Sequence, residues 1–559
     1  MKGYGLTVFY GFKVERFEVE VIDVIKNFLP NQDLFLVRAD HPVLRHSGVV
    51  GGMSGSPIYL EGKLAGALAY GWRFAKDPIC GITPIKNMLE LTRRKPRGPS
   101  AWTVPLGPRQ GADRATLSSL SQQRRWWRLP FGRVPSPSST DFLVPVALPL
   151  HTAGFTPEAS AELRKAFASF GFEPVQGGGT GRDEGPTGVV PGGAVGVQLV
   201  RGDMSMVGTG TATWTGGSQI LAFGHRMFNA GEIYLPAVGA RVHHTLANVS
   251  RSFKIASPTR VIGSLVQDRQ AGIMMDTSQR VGTVPMTITS HVAGETRVFR
   301  AELARHRLLT PSLAGSVMMN ALTESLPDVD QATFKLSTRL SVKGHRPVRI
   351  DDYLFAPGGI PLTAAMFSRG LRAVREVMMN DFEPVFMERI DLDLEVRFAN
   401  DVAEITSLSM KSSTVDPGSR VTLQVGFRPF AGGEFVKSYT LEIPAAMAGS
   451  VLVVEASSGS LAQPERAAPV KLTQLLSALE DGYPARSVVI SVGVPYEGLK
   501  LRGQVIRDLP SSVLDSFNTA AVIRDDQAFH PALRTVHATQ RVISGKKSIR
   551  IRVRSEVNQ

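Results

Sequence analysis

Residues 52–71, GMSGSPIYLEGKLAGALAYG, fix one local conformation more tightly than any other stretch of this chain. Gly52 and Gly55 flank Ser54, and without a Cβ the backbone beside the serine can take left-handed dihedrals and let another group approach closely. Pro57 ends the turn. Ile58 to Leu60 and Leu64 to Tyr70 then read as two short strands joined at Glu61-Gly62. A serine in a tight turn ahead of a hairpin suits a nucleophile. The N–H groups of Gly52 and Ser54 can converge there on a developing oxyanion, worth roughly 2.7–4 kcal/mol per donor in hydrolases. Small residues also punctuate every β protein, so the turn alone reads equally as a plain connection. Ser56 is the rival hydroxyl, but it precedes Pro57 and is expected to point into the following strand.

A second segment, GGSQILAFGHRM at 216–227, ends an apolar strand (Ile220 to Phe223) in Gly224-His225. An imidazole at such a strand end can reach out of a barrel wall and act as a general base. Asp40 closes the apolar run that begins at Leu34 and lies shortly before Ser54, which makes it the candidate orienting carboxylate. Nucleophile, base and carboxylate would then be Ser54, His225 and Asp40. Such groups meet in the fold and not in the sequence.

These residues carry a family likeness. The block around Ser54 resembles the GxSGxP segment of chymotrypsin-like serine peptidases, with Met53 where trypsin-type enzymes have aspartate, so activation by a buried new amino terminus is not expected. Three pieces, SGVVGGMSGSPIYLEGKLAGA (47–67), ILAFGH (220–225) and TRVIGSLVQDRQAGIMM (259–275), together resemble the SpoIVB family of serine peptidases. The likeness spans about residues 1–92 and 190–300. It implies a mainly β fold with a chymotrypsin-like double β-barrel core, Ser54 as nucleophile and His225 as base. Asp40 follows as third member only across a one-residue gap. The order is swapped relative to the sporulation enzyme, with the serine half first. The likeness further implies a protein or peptide substrate, a regulatory partner cleaved once, and export to the periplasm or cell surface. A non-catalytic binding module on a peptidase-like barrel, or a surface scaffold, is the alternative.

Composition adds boundaries. Cys80 is the lone cysteine, which excludes an intramolecular disulfide and a cysteine-cluster metal site, and its apolar surroundings mark it as a core residue. The glycine-rich GGGTGRDEGPTG (177–188) lacks the G-K-S/T ending of a phosphate loop, and His243-His244 on a strand would face opposite sides, so no cofactor or metal is expected. A net charge of +14 favours contact with an anionic envelope surface, while nucleic acid is not expected as a partner. No run of apolar residues is long enough to predict a membrane span. Strand alternation starts within the first residues, with no export sequence ahead of it, which predicts an internal start to a longer polypeptide.

Six segments follow. The serine half (1–92) closes with a short helix at Ile85 to Thr92, and an Arg/Pro/Ser-rich linker (93–140) contains RRWWR at 124–128. The histidine half (141–300) opens with a strand from Phe142 to Leu150, then a helix capped by Thr156 with Pro157 at its first position and Leu163, Phe167 and Phe170 as its apolar stripe. A mixed α/β segment (301–395) carries helical periodicity from Thr363 to Met379, with Met366, Phe367, Leu371, Val374 and Met378 on one face. An immunoglobulin-like sandwich is expected over 396–460. An α/β module (461–559) ends in a hairpin whose last strand, SIRIRVRS (548–555), has one buried and one basic face.

Overall fold

Alternation of apolar and charged residues decides the second element: along Lys13–Leu29, Phe17 and Val19 are buried while Glu18 and Glu20 face water. The computed structural model describes the chain apart from residues 73, 95, 97, 99–142, 147, 168–171, 180–184, 326–330, 358–367, 463, 495–497, 502–503, 507–526, 530–531 and 556–559. The RRWWR motif, Phe170, Met366 and Phe367, and nearly all of the expected linker, lie outside the described residues. The fold is mainly β, and it divides into two compact units. The first comprises residues 1–288, 298–324 and 384–390; the second holds the rest.

Two closed barrels form the body of the first unit, which also takes in most of the helix Leu309–Ser325. Strands β1 (Lys2–Tyr10), β2 (Lys13–Leu29), β3 (Gln32–Asp40), β4 (Pro57–Leu60), β5 (Lys63–Gly71) and β6 (Ile79–Pro84) pair in the ring β1-β2-β3-β6-β5-β4, closed by β4 on β1. Short helices α1 (Pro42–Ser47) and α2 (Ile85–Leu89) accompany them, the latter where a helix is expected. Phe17, Val37, Ile58, Leu68 and Ile82 fill this barrel together with Cys80, whose buried thiol is pushed up to about 12.

After β7 (Val144–Pro145), β8 (Leu148–Ala153), α3 (Pro157–Phe167) and β9 (Phe172–Gln176), the second barrel uses β10 (Ala194–Gly202), β11 (Ser205–Gly216), β12 (Gln219–Ala222), β13 (Gly231–Leu246), β14 (Phe253–Arg269) and β15 (Gly272–Asp276). Its ring is β10-β11-β12-β15-β14-β13, closed by β13 on β10. Counted within each barrel, the strand order is the same: first, second, third, sixth, fifth, fourth. Closure leaves neither barrel a bare edge. Thr156 caps α3 through its Oγ1, which accepts the Ala159 N–H at 3.3 Å, and Leu163 and Phe167 are buried as the stripe requires. Met88 and Leu91 pack with Ala67, Leu221, Val266 and Met274, joining the two barrels through a shared apolar cluster.

The second unit contains a hairpin of Gln331–Val342 and Val348–Pro357, the helices Arg369–Met378 and Leu472–Glu480, and a β-sandwich. One sheet of the sandwich runs Phe435–Glu442, Arg420–Pro429, Val402–Met410, Val542–Ser544; the other runs Thr414–Val415, Lys546–Val553, Val451–Ser458, Ser487–Gly493, Ala532–Ala538. Leu423, Phe427, Val454, Ile490 and Ile551 share a single core. A sandwich therefore forms, but it takes strands from both sides of the boundary expected at 460. The reason is hydrophobic: Val488, Ile490 and Val492, like Ile551 and Val553, recur at every second residue on the face that covers that core. Helix Arg369–Met378 buries Leu371, Val374 and Met378 as its periodicity requires.

Three histidines of the first unit are buried in neutral form: His151 and His306 are pushed down to about 3 and His225 to about 4, in each case chiefly by burial. His306 Nδ1 accepts the N–H groups of Leu308 and Leu309, which requires that nitrogen to be unprotonated. Below the unfolded-state value near 6.5 the unfolded chain binds protons that the folded chain refuses, so stability rises with pH across this window and is lost on acidification. Between pH 6.5 and 5 each histidine costs about 2 kcal/mol. Calorimetry from pH 7.5 to 5 should show a falling Tm for the first unit, less steep in His151→Gln; a flat Tm would contradict neutral burial.

Candidate active site

Ser54 lies on the connection from the third to the fourth strand of the first barrel, which crosses the barrel mouth because those strands are not neighbours in the ring. Gly52 and Gly55 adopt φ of +93° and +97°, the left-handed geometry anticipated on both sides of the serine. Within the turn Met53 N–H donates to the Val50 carbonyl (3.0 Å), Ser56 N–H to Met53 (2.9 Å), and Gly55 N–H to Leu68 (2.7 Å). The N–H groups of Gly52 and Ser54 donate to no acceptor among the described residues.

Carbonyls of the same turn are taken up by the second barrel. Thr211 Oγ1 donates to the Gly52 carbonyl (2.9 Å), the Thr211 N–H to the Ser54 carbonyl (2.9 Å), and Thr213 Oγ1 to the Gly55 carbonyl (2.7 Å). A Cβ on Gly55 would stand 1.9 Å from the Thr211 carbonyl oxygen and 2.5 Å from the Phe223 nitrogen, so no other residue fits that seam. Ser54 is 0% exposed and its Oγ has no hydrogen-bond partner among the described residues. Ser56 Oγ instead donates to the Met53 carbonyl at 2.7 Å, which ties the rival hydroxyl into the turn.

His225 occupies the equivalent connection of the second barrel, between its third and fourth strands. Phe223 and Gly224 both take positive φ, +69° and +68°. For a phenylalanine this conformation is strained by about 1–3 kcal/mol. The strain is offset by complete burial of the ring, which lies across Gly210. Thr83 Oγ1, from β6 of the first barrel, donates to the Gly224 carbonyl at 2.6 Å. The imidazole is 3% exposed. Its Nδ1 lies 2.8 Å from the Arg226 carbonyl, which can only accept, so Nδ1 carries the hydrogen and Nε2 keeps its lone pair. Nε2 has no hydrogen-bond partner among the described residues. Burial outweighs the carbonyls of Arg226 and Val146, which favour the charged ring, and the imidazole stays neutral down to about 4.

The fold thus brings the serine and histidine turns into direct contact at Gly55 and Phe223, with Gly224 against Ala67 and Ala69 of β5, although Ser54 and His225 are not hydrogen-bonded to each other. Asp40 is not brought to the imidazole. It is half exposed and held by Arg45 through contacts of 2.6 and 2.8 Å, and that guanidinium keeps its carboxyl below the usual carboxylate range. The helical turn of α1 after Asp40 returns Arg45 to it, so local pairing captures the carboxylate before any distant base can.

Asp268 is the carboxylate that faces the histidine connection. Fully buried near the end of β14, it accepts N–H groups from Met227 (2.7 Å), Phe228 (2.6 Å) and Ala230 (3.3 Å). Burial raises its carboxyl against the opposing pull of those donors. It lies inside TRVIGSLVQDRQAGIMM, just after the apolar run Leu265-Val266 and between the polar residues Gln267 and Arg269, which hid it. Thr211 and Thr213 carried no signal either, since threonine is ordinary in a strand. Along the last residues of β5, β7 pairs at Tyr70 and Gly71, and the Val146 N–H donates to the Ala69 carbonyl at 2.8 Å, so this segment lies beside both turns.

No group of three or more metal-ligating side chains occurs among the described residues, and no helix there is long and apolar enough to cross a membrane. No curated protein and no solved structure matches the chain. Residues 3–89 match the family described as SpoIVB peptidase S55, a stretch that runs from β1 to α2 and contains the Ser54 turn. Over that stretch the serine-bearing barrel is similar to SpoIVB peptidases.

Proposed function

We propose that the first unit is a serine endopeptidase that cleaves protein or peptide substrates through an acyl-enzyme on Ser54. The observation that carries this reading is the pair of orphaned buried atoms, Ser54 Oγ and His225 Nε2, on touching turns beside two N–H groups that no described residue occupies. Buried polar atoms ordinarily find partners, and unsatisfied ones mark sites where a ligand or reaction supplies them.

In the mechanism, His225 Nε2 removes the Ser54 proton as Oγ attacks the scissile carbonyl, and returns it to the leaving amine. Catalytic hydrogen bonds are often unformed in unliganded enzymes and close only around substrate. The Arg226 carbonyl holds the tautomer, and Asp268 fixes the loop that carries the ring by its three backbone contacts. N–H groups of Gly52 and Ser54 receive the oxyanion. Asp40, committed to Arg45, has no step here. Since both reacting groups are buried, a peptide reaches them by displacing what lies over the turns, Val144 to Val146 included. Cleavage of a single regulatory partner at the cell envelope, with the sandwich of the second unit as a holding surface, is the biological setting this chemistry suits.

The missing Ser54–His225 hydrogen bond favours a second reading, a peptidase-like barrel that binds peptide without cleaving it. A fluorophosphonate probe separates the two. Labelling of the wild-type chain, its loss in Ser54→Ala, retention in Ser56→Ala, and a fall of about 10²-fold or more in His225→Gln are expected; a folded wild type that takes up no probe supports the binder. Thr211→Val leaves the buried Gly52 carbonyl without its donor. It should cost about 1–3 kcal/mol in chemical denaturation and slow labelling at least tenfold, whereas an unchanged labelling rate would show that the turn does not need this clamp.

A further inference from the structure

A lysine of the second barrel runs beneath the serine turn. Phe253 forms an isolated parallel bridge with Gly51, the Gly51 N–H donates to the Ser252 carbonyl at 2.8 Å, and the Lys254 N–H donates back to the Gly51 carbonyl at 3.0 Å. From there the Lys254 side chain passes under Gly52, its Cδ and Cβ lying 3.4 and 3.5 Å from where a Cβ of Gly52 would be. Nζ ends on Thr7 Oγ1 of β1, 2.7 Å away. Lys254 is 2% exposed and Thr7 fully buried.

Nothing in the packing of that stem asks for a charge. A buried ammonium with one neutral acceptor is an expensive feature, and an apolar side chain of the same length would fill the same space at less cost. Burial alone depresses its affinity for a proton, to about 7, with no carboxylate acting on it. The cation stands two bonds beyond a carbon in contact with Gly52, whose N–H is one of the two donors left free. In a poorly solvated seam, positive charge there favours negative charge developing at that N–H.

We propose that Lys254 is a positioning residue for the Ser54 turn, bracing Gly51 and Gly52 through its backbone and stem and holding a cation under the oxyanion donors by way of Thr7. The proposal rests on the reading of Ser54 as nucleophile and assigns to the second barrel a role besides supplying the base. Lysine donates hydrogen bonds but does not touch the substrate in this arrangement; its effect passes through Gly52.

The test is fluorophosphonate inactivation of the full chain, resolved into kinact and KI, with Tm measured in parallel. Lys254→Met is expected to lower kinact at least tenfold with KI within twofold and Tm within a few degrees of wild type, a split that mere loss of packing would not produce. Lys254→Arg keeps the charge and should retain kinact within threefold. Thr7→Val, which unmoors the ammonium without removing it, should lower kinact at least threefold, and decides the matter if Lys254→Met does not fold. Wild-type kinact in both Lys254→Met and Thr7→Val overturns this inference while leaving the nucleophile intact. A wild type that Ser54 does not label overturns both.

Discussion

Everything at the candidate site depends on one set of hydrogen bonds between barrels: three carbonyls of the serine turn, on Gly52, Ser54 and Gly55, are held by Thr211 and Thr213 of the other barrel. A peptide group has two ends, so fixing its carbonyl in one direction fixes the N–H attached to it in the other. The N–H groups attached to those carbonyls are on Met53, Gly55 and Ser56 and donate to Val50, Leu68 and Met53, so the clamp fixes the frame of the turn, within which the N–H groups of Gly52 and Ser54 have no partner among the described residues. The arrangement is tolerable only because Gly55 has no side chain where the Thr211 carbonyl passes. In return, Thr83 of the first barrel holds the Gly224 carbonyl next to His225. Each barrel therefore clamps the functional turn of the other.

That reciprocity follows from topology. Both barrels close in the same strand order, and in that order the step from third to fourth strand is the one that crosses the mouth. Ser54 and His225 sit on these two equivalent crossings. Two such barrels packed mouth-side against each other bring the crossings together whichever comes first along the chain. The swapped order of serine and histidine halves therefore does not obstruct the geometry, because the contact lies between modules and owes nothing to the path of the segment that joins them.

Local features of this site were readable from the residues, and long-range ones were not. Positive φ at Gly52 and Gly55, the strands after Pro57, the buried Cys80 and the Thr156 cap all depend on a few neighbouring residues, and the sequence states those neighbours outright. Asp40 shows the limit. Its spacing before Ser54 suggested a catalytic partner, but the residue five positions later, Arg45, competes for the same carboxylate at no cost in loop closure and takes it. Asp268 and Lys254 were hidden for the opposite reason: each works through backbone groups or a threonine in a distant strand, and no spacing encodes that. The sandwich boundary at 460 failed in the same way, since strands at 487–493 and 546–553 join it by register and not by adjacency.

The family match and the site geometry also divide the chain in an instructive manner. The match ends with α2, after the serine barrel alone, yet the groups that would make this serine reactive, His225, Thr211, Thr213 and Lys254, all belong to the barrel beyond it. A turn such as GMSGSP must satisfy tight backbone constraints whatever it faces, so its sequence stays recognisable. A partner barrel needs only to present an imidazole, two threonine hydroxyls and a cation at given points on its surface, and many β sequences can do that. Recognition by sequence and assembly of the proposed reactive centre are thus carried by different halves of the unit. The proposed activity belongs to the seam between the barrels and is expected to be absent from the serine barrel on its own.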